Sequence, residues 1–504
     1  FRASAVRALG YGKGILLLIS GKDIGTMTEL MQRALNSVIN WGDSNGLTFN
    51  PVKTQAMIFD MGYKKVGKPL FIKGQEVPFV EELKYLGLIF DSRLSWKNHI
   101  TNRIKKCTKI WSLTRCIIGQ KWGLTPDKIL WIYTAIIRPI LGYGSIVWAH
   151  KLNATLTKSL DKIQRKALLA MTSTLRSTPT AGMEAILGLL PLDLHIQKEA
   201  TCARWRIKSL TTLRWDGLGL LPTRKGHKRY LDDILGKLSL PNECDSDPKE
   251  AIDLELDELN DPETIVFTDG SKDDTGTGLG WAITQGDYIL DENFYRLPQY
   301  ATVFQAEVTA IGEVAKTLNE SEKHKGKEIV IKSDSQAAIA AINNRLSDSK
   351  AVKKAKKELR SLKQNNKVAL EWVKGHDDIT GNELADHLAK KGSHSENLIG
   401  VGMSNTLIKR SIGEHFQKVW EKRWKSRPDC KISRSFFPNP NTSFMLKRLV
   451  KLSRYKLGVL VQAATGHGLF AAHMAHWNKC DALCSLCEES EQTSEHLWME
   501  CPAL

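Results

Sequence analysis

Four acidic residues occupy local contexts in which a carboxylate is unusual. They are Asp269 in Val-Phe-Thr-Asp-Gly-Ser, Glu307 in Gln-Ala-Glu-Val-Thr-Ala-Ile, Asp334 in Ile-Lys-Ser-Asp-Ser-Gln and Asp386 in Gly-Asn-Glu-Leu-Ala-Asp-His. Each follows an apolar strand pattern or lies on the apolar side of a helix pattern. Carboxylate oxygens are the ligands that hard divalent cations prefer. Four of them in one segment therefore predict a metal centre of the kind that cleaves phosphodiester bonds.

The segment around these residues alternates strand and helix patterns. Helical patterns cover residues 302–319 and begin again near Gln336. Within 302–319, Glu307 shares one helical face with Ile311, Val314 and Leu318, so it is expected among core residues. A charge buried there is costly unless something positive meets it. Runs of β-branched and aromatic residues predict strands at 264–268, 278–284, 288–294, 329–333 and 368–373.

The predicted elements bring the four acids towards one place. Asp269 and Asp334 are expected at the ends of their strands. Asp386 is expected one turn after a capping box, with Thr380 as N-cap and Glu383 as the third helical residue. Carboxylates at strand ends and helix starts converge at one edge of an α/β sheet. We therefore predict that the four acids form one cluster. Divalent ions would cancel the repulsion between the carboxylates. The alternative is that all four are ordinary surface acids.

In these motifs and in their order, residues 262–394 resemble type 1 ribonuclease H domains. The resemblance implies a mixed five-stranded sheet with flanking helices. It also implies hydrolysis of the RNA strand of an RNA–DNA hybrid with two Mg²⁺ ions, or Mn²⁺ in their place. By the same resemblance, the metal ligands and catalytic acids would be Asp269, Glu307, Asp334 and Asp386.

The resemblance extends to residues around the acids. His376, in Gly-His, resembles the mobile histidine that assists proton transfer or product release, and an ordinary loop histidine is the alternative. Gln336 matches a position that contacts a ribose 2′-hydroxyl group, which distinguishes RNA from DNA. The chain departs from the family before the helical Glu, where many members carry Asn or Gln for minor-groove contacts. Val303 and Phe304 stand there instead.

The first half of the chain carries a second set of ordered motifs. Tyr11-Gly12-Lys13-Gly14 precedes a strand pattern at 15–19 and a helix pattern at 26–41. The motifs Gly-Leu-Thr-Phe-Asn-Pro-Val-Lys-Thr and Lys-Tyr-Leu-Gly follow, and then helical stretches to about residue 206. This order resembles the end of the palm and the thumb of reverse transcriptases from non-LTR retrotransposons of the jockey and I types. Lys53 would be the motif lysine, and residues 83–91 the primer-grip hairpin.

The polymerase centre is incomplete in this sequence. The family carries a Tyr-x-Asp-Asp box where this chain has Tyr11-Gly12-Lys13-Gly14, and an earlier catalytic aspartate would lie before Phe1. Because a lysine repels the metal ions that polymerisation needs, no reverse transcriptase activity is expected. Two alternatives stay open for this region: a thumb that binds a template–primer duplex, and a packed remnant without function. The start inside a motif indicates a fragment of a longer product.

The last residues contain a different metal-ligand spacing. Cys484-x2-Cys487-x8-His496-x4-Cys501 fits tetrahedral Zn²⁺, and Cys480 is left over. So short a segment cannot bury enough apolar area to fold alone, and zinc binding supplies the missing stability. The alternative is a disulfide module, which needs an oxidising compartment. The spacing resembles the C-terminal zinc knuckle of the same retrotransposon group.

The composition agrees with a nucleic-acid partner. The 504 residues carry a formal net charge of +17, which favours a polyanion. The longest apolar stretch, 129–149, contains Arg138-Pro139 at its middle, so we expect two packed helical pieces and no membrane partner. No signal peptide is visible, and an intracellular location in cytoplasm or nucleus is expected. The oligomeric state stays open.

The sequence thus predicts a multi-domain chain. The expected function is endonucleolytic ribonuclease H activity within a retrotransposon polyprotein fragment, and the alternative is a decayed or domesticated nucleic-acid-binding protein. The predicted parts are a reverse transcriptase palm remnant and helical thumb at 1–206, a linker with a solvated acidic run at 207–261, a ribonuclease H domain at 262–394, a helical region at 395–479 and a zinc knuckle at 480–504.

Overall fold

The structure, a computed structural model, divides the chain into two compact units. The first consists of residues 1–201, 215–231 and 415–504, and the second of residues 202–214 and 232–414. The domain boundaries given above stay predictions. The structure describes residues 6–11, 14–59, 67–119, 122–209, 229–238, 240, 244–246, 249–286, 288–375, 379–441 and 443–504.

The first part of the chain alternates short hairpins with helices. The tip of the first hairpin, which contains Lys13, lies outside the described residues. The predicted hairpin at 83–91 is present as two antiparallel strands. The elements are β1 (Arg7–Tyr11), β2 (Gly14–Leu18), α1 (Ile24–Ser44), β3 (Leu70–Ile72), β4 (Gln75–Val77), β5 (Glu82–Tyr85), β6 (Leu88–Asp91), α2 (Lys97–Arg115), α3 (Pro126–Ile132), α4 (Arg138–Gly142), α5 (Ser145–Trp148), α6 (Ala154–Thr172), α7 (Thr180–Leu187), α8 (Leu192–Ser209) and α9 (Arg229–Lys237).

The apolar stretch at 129–149 is broken into short packed helices, as the sequence predicts. A π-helical turn (Tyr133–Ile137) separates α3 from α4, and Gly144, with φ +68°, separates α4 from α5. Arg138 is buried and donates hydrogen bonds to the side-chain oxygen of Gln164 and the main-chain oxygen of Leu190. Among the described residues, no single helix has the length and hydropathy of a membrane span; one pair, bent by 50° between Gly142 and Ser145, has them only when taken together.

The second unit is built on a mixed five-stranded sheet, which confirms the predicted fold. The elements of this unit are β7 (Glu250–Ala251), β8 (Thr264–Lys272), β9 (Thr277–Gln285), β10 (Tyr288–Leu297), α10 (Val303–Glu320), β11 (Glu328–Ser333), α11 (Gln336–Asn343), β12 (Leu346–Ser347), α12 (Lys350–Leu362), β13 (Lys367–Trp372) and α13 (Thr380–Gly392). The strand order of the sheet is β10-β9-β8-β11-β13, where β11 is parallel to β8 and β13 and the other pairs are antiparallel.

Two predicted element ends are wrong. β8 does not stop at Asp269, because its ladder with β9 continues to the pair Lys272↔Thr277. The chain turns only afterwards. Helix α13 has no capping box, since Thr380 is its first helical residue and Ile379 occupies the N-cap position without a side-chain hydrogen bond. Asp386 therefore lies in the second turn of α13.

The acidic run after residue 248 is not the solvated linker that the sequence suggested. Its acids alternate with Ile252, Leu254 and Leu256; Ile252 is 5% exposed and the two leucines pack against the core of the second unit. Alternation with a period of two is typical of an extended edge, with one side facing the core. The short strand β7 pairs with β12, and the Asp257 carboxylate accepts a hydrogen bond from Val368 N.

The chain on the far side of α13 also joins the second unit. The Ile399 N–H donates to Arg296 O, and Gln305 Nε2 donates to Gly402 O. Asp245 N donates to Met403 O, so the segments before and after the sheet meet. Sequences flanking 262–394 on both sides are therefore part of the same packed body.

Residues 415–504 complete the first unit. α17 (Arg454–Thr465) packs against α6 and α7, and α16 (Ser443–Leu449) packs against α7. Asn441 N donates to Ala185 O, and Arg423 makes a bidentate ion pair with Asp193 at 3.0 and 2.8 Å. The elements are α14 (Asn405–Lys425), which begins in the second unit, α15 (Lys431–Phe436), α16 (Ser443–Leu449), α17 (Arg454–Thr465), α18 (Ala471–Ala475) and a final π-helical turn (His496–Glu500).

Candidate active site

The sheet brings Asp269 and Asp334 side by side. Asp269 lies in β8, Asp334 directly follows β11, and these parallel neighbours are in register with Ser333 opposite Thr268. Glu307 reaches the same place from the second turn of α10. Carboxylate oxygens of the three acids lie within 4.8 Å of one another. The structure thus assembles three of the four predicted metal ligands.

A glycine and a helix cap place Glu307 against the sheet. A Cβ on Gly270 would lie 2.6 Å from Glu307 N and 2.8 Å from the Cβ of Ala306, so α10 approaches β8 this closely only because residue 270 has no side chain. Thr302 and Gln305 form a capping box at the start of α10. The box satisfies N–H groups of the first turn and so fixes where the next turn begins.

Burial and mutual repulsion oppose ionisation of these acids. Burial, followed by the charges of Asp269 and Asp334, raises the pKa of Glu307 to about 9. Burial, followed by the charges of Asp334 and Asp386, raises the pKa of Asp269 to about 6. Glu307 is 5% exposed, and its Oε2 has no hydrogen-bond partner among the described residues. A buried carboxylate oxygen without a donor is satisfied by a hard cation, so the donor set fits divalent metals.

The fourth acid, Asp386, lies near this cluster but outside it. Its Oδ2 accepts a hydrogen bond of 2.6 Å from Lys390 Nζ, one turn later in α13. Its charge still contributes to the raised pKa of Asp269. Helix α13 packs tightly on β9 because residue 280 is glycine: a Cβ there would lie 2.5 Å from Ala389 N. The Asp–Lys spacing of four residues could have revealed the ion pair from the sequence.

The last residues bring four metal-binding side chains together. Ligand atoms of Cys484, Cys487, His496 and Cys501 lie within 4.8 Å of one another, with Cys487 Sγ 3.2 Å from His496 Nε2. Main-chain hydrogen bonds, first from Cys487, lower the pKa of the Cys484 thiol to about 6. Three thiols and one imidazole are compatible with tetrahedral zinc. Cys480 is exposed and lies outside this group.

The carboxylate cluster lies within the part of the chain that matches a known family. The family model RNase H matches residues 261–394. These residues form a ribonuclease H domain. The chain is 34% identical to ribonuclease H of Saccharomyces cerevisiae over 160 residues, covering 25% of this chain and 45% of that one.

The chain is also similar to retrotransposon polyproteins. It is 24% identical over 200 residues to the retrovirus-related Pol polyprotein from type-1 retrotransposable element R1 of Nasonia vitripennis, covering 38% of this chain. It spans 59% of that relative. Among solved structures, ribonuclease H1 from Halobacterium salinarum matches with 20% identity and a TM-score of 0.21, over 26% of this chain and 96% of that protein.

Of the other residues predicted to act in the ribonuclease H domain, one lies outside the described residues and one is exposed. His376 lies outside the described residues. Gln336 is exposed and is the first residue of α11, directly after the N-cap Ser335. Val303 is 43% exposed, whereas Phe304 packs against the core. Gly270 is not among the site residues predicted from the sequence. A glycine that directly follows an acidic residue in a strand indicates that another element approaches the strand closely, so the sequence did contain this signal.

Proposed function

We propose that this chain hydrolyses the RNA strand of RNA–DNA hybrids at the carboxylate cluster of its ribonuclease H domain. The observation that carries the proposal is the meeting of Asp269, Glu307 and Asp334 oxygens within 4.8 Å, with Glu307 Oε2 buried and lacking a donor among the described residues. Such a cluster has no evident structural use, because burying like charges together is costly. The family match of residues 261–394 supports the same reaction class.

The acids would hold two Mg²⁺ ions, or Mn²⁺, with Asp386 completing the set. Bound in this way, two divalent ions supply an activated water and stabilisation of the leaving 3′-oxygen. Lys390 holds the Asp386 carboxylate beside the cluster. His376 would assist proton transfer or product release, and Gln336, exposed at the start of α11, would contact a ribose 2′-hydroxyl.

The substrate and biological setting follow from charge and from the relatives. A net charge of +17 supports binding of a polyanionic duplex. The similarity to R1 polyproteins supports a place within a retrotransposon polyprotein. The segment Tyr11–Gly14 contains no carboxylate, which supports the absence of DNA synthesis by this chain. The same feature favours the second candidate, a decayed or domesticated protein that binds nucleic acid without cleaving it.

We assign a structural role to the zinc module at residues 480–504. Residues 480–504 contain six acids, Asp481, Glu488, Glu489, Glu491, Glu495 and Glu500, and neither Lys nor Arg. Such a segment repels phosphate, so nucleic acid would bind elsewhere on the chain. Thiolate ligands persist in a reducing environment, which supports an intracellular location.

Cleavage of a labelled hybrid by the full chain tests the proposal. We expect Mg²⁺-dependent cuts in the RNA strand only, and Asp334→Asn should lower the rate about a hundredfold or more, because it removes a metal ligand. The matched control is Glu313→Gln, an acid of the same helix as Glu307 that pairs with Lys354 at 2.6 Å; it should cleave normally. Hybrid binding without any cleavage by the wild type would support the second candidate instead.

A further inference from the structure

We infer that Trp372 positions Asp334 through its indole N–H and binds the substrate through its exposed ring. This inference rests on the proposed ribonuclease function. Trp372 Nε1 donates a hydrogen bond of 3.0 Å to the main-chain oxygen of Asp334. Trp372 is also 50% exposed, whereas Trp281, in the same sheet, is 1% exposed. Trp372 is therefore hydrogen-bonded to a residue of the carboxylate cluster and is also exposed to solvent.

The hydrogen bond lies at the place where strand pairing ends. β11 stops at Ser333, which is opposite Trp372, and the last ladder bond there runs from Val373 N to Ser333 O at 3.0 Å. The chain then turns into α11, whose N-cap is Ser335. Asp334 thus lies between the end of β11 and the N-cap of α11. The Trp372 side chain donates to the Asp334 carbonyl and restrains the backbone that carries the carboxylate.

The same loop also restrains the carboxylate itself. A Cβ on Gly375 would lie 2.8 Å from Asp334 Oδ2, so the chain after β13 passes very close to that oxygen. Trp372 contacts the main chain of Asp334, and Gly375 lies against its side chain. Groups that fix a ligand in this way, without touching the metal, commonly alter metal affinity by about 10–100-fold when they are removed.

The exposed ring is placed to meet the substrate. A scissile phosphate would lie at the three acids, and Trp372 is hydrogen-bonded to the main chain of one of them, so we infer that its exposed ring is within reach of the adjoining nucleotides. Exposed aromatic faces bind the bases of nucleic acids by stacking. β13 is an edge strand of the sheet, so no further strand of the described residues covers this side.

Two substitutions in the full chain separate the two roles. Trp372→Phe removes the N–H but keeps a ring, and we expect about tenfold weaker Mn²⁺ binding by calorimetry with an unchanged dissociation constant for the hybrid. Trp372→Leu removes both, and hybrid binding in Ca²⁺ by fluorescence anisotropy should also weaken about tenfold. Tyr288→Leu is the matched control: Tyr288 is 79% exposed on the opposite edge strand, β10, and both affinities should stay unchanged.

The outcomes distinguish this inference from the proposed function. Wild-type Mn²⁺ affinity in Trp372→Phe would overturn the positioning role, and wild-type hybrid affinity in Trp372→Leu would overturn the substrate contact. If the wild type cleaves nothing while Trp372→Phe still loses Mn²⁺, the proposed function fails and the positioning role stands. Should Trp372→Leu unfold, ultraviolet cross-linking of the hybrid to wild-type protein replaces it: a cross-link in the peptide that contains Trp372 supports the contact, and cross-links only elsewhere refute it.

Discussion

The buried acid Glu184 should make the first unit less stable as the pH rises. Glu184 lies in α7, is 6% exposed and accepts a hydrogen bond of 2.6 Å from Gln164 Nε2. Burial is the main cause that raises its pKa from 4.5 to about 8, and the charges of Asp161 and Asp193 add to it, while the bond from Gln164 opposes it. The folded state therefore retains a proton that the unfolded chain loses at lower pH.

The size of the effect follows from the shift. Below about pH 4.5 Glu184 is protonated in both the folded and the unfolded state, so it does not lower the free energy of unfolding there. From there to about pH 8 each pH unit removes about 1.4 kcal/mol of stability, or about 3 kcal/mol by pH 7. Glu184→Gln abolishes this loss but places an amide N–H where a carboxylate oxygen lies, which costs about 1 kcal/mol. The variant should therefore be more stable than the wild type by about 2 kcal/mol at pH 7.

Amide hydrogen exchange in the full chain measures this difference locally. At pH 7, corrected for intrinsic rates, α7 peptides of Glu184→Gln should exchange roughly thirtyfold more slowly than wild type in the regime where exchange reports opening free energy. At pH 4.5 the advantage should vanish or reverse slightly. Glu199→Gln, whose side chain is 51% exposed in α8, is the control and should change neither rate. Equal protection of Glu184→Gln and wild type at pH 7 would refute the reasoning.

Three further predictions concern the carboxylate cluster, the zinc site and the segment that precedes the sheet of the second unit. Gly270→Ala should push α10 away from β8 and lower hybrid cleavage at least about tenfold, while Gly413→Ala, with nothing within 4 Å of its new Cβ, should retain the wild-type rate. Cys487→Ser should lose one equivalent of zinc by metal analysis and expose α18 to proteolysis, because Gln492 holds the first residues of that helix; Cys480→Ser should keep the metal. Asp245→Ala should destabilise the second unit by about 1–2 kcal/mol in hydrogen exchange, since its carboxylate accepts from Ser349 Oγ and Ala351 N at the start of α12; unchanged protection of α12 would contradict that role.

Much of the second unit could be predicted from the sequence because its elements follow local rules. The predicted helix at 302–319 is observed at Val303–Glu320, and the predicted strand at 329–333 at Glu328–Ser333. Apolar periodicity reports which side of an element is buried, and that information is contained within a few residues. The same periodicity predicts that Glu307 is buried, and in the structure it is 5% exposed.

The acidic segment before β8 shows where composition misleads. Its charge suggested a solvated linker, yet Ile252, Leu254 and Leu256 alternate with the acids and pack on the core. The hydrogen bonds that hold the segment join residues about a hundred positions apart, such as Lys356 Nζ to Ile252 O. No local pattern specifies such a partner.

The sequence by itself determined the chemistry available to this protein: four acids in strand and helix contexts, and three cysteines and a histidine at zinc spacing. The tertiary structure alone decided that Asp269, Glu307 and Asp334 meet, that Asp386 pairs with Lys390 beside them, and that the Trp372 indole bonds to the Asp334 main chain. The physical reason is one of range. Side-chain type and periodicity act over a few residues, whereas the meeting of distant groups depends on strand register and on close approaches, such as that at Gly270, which exist only once the chain is folded.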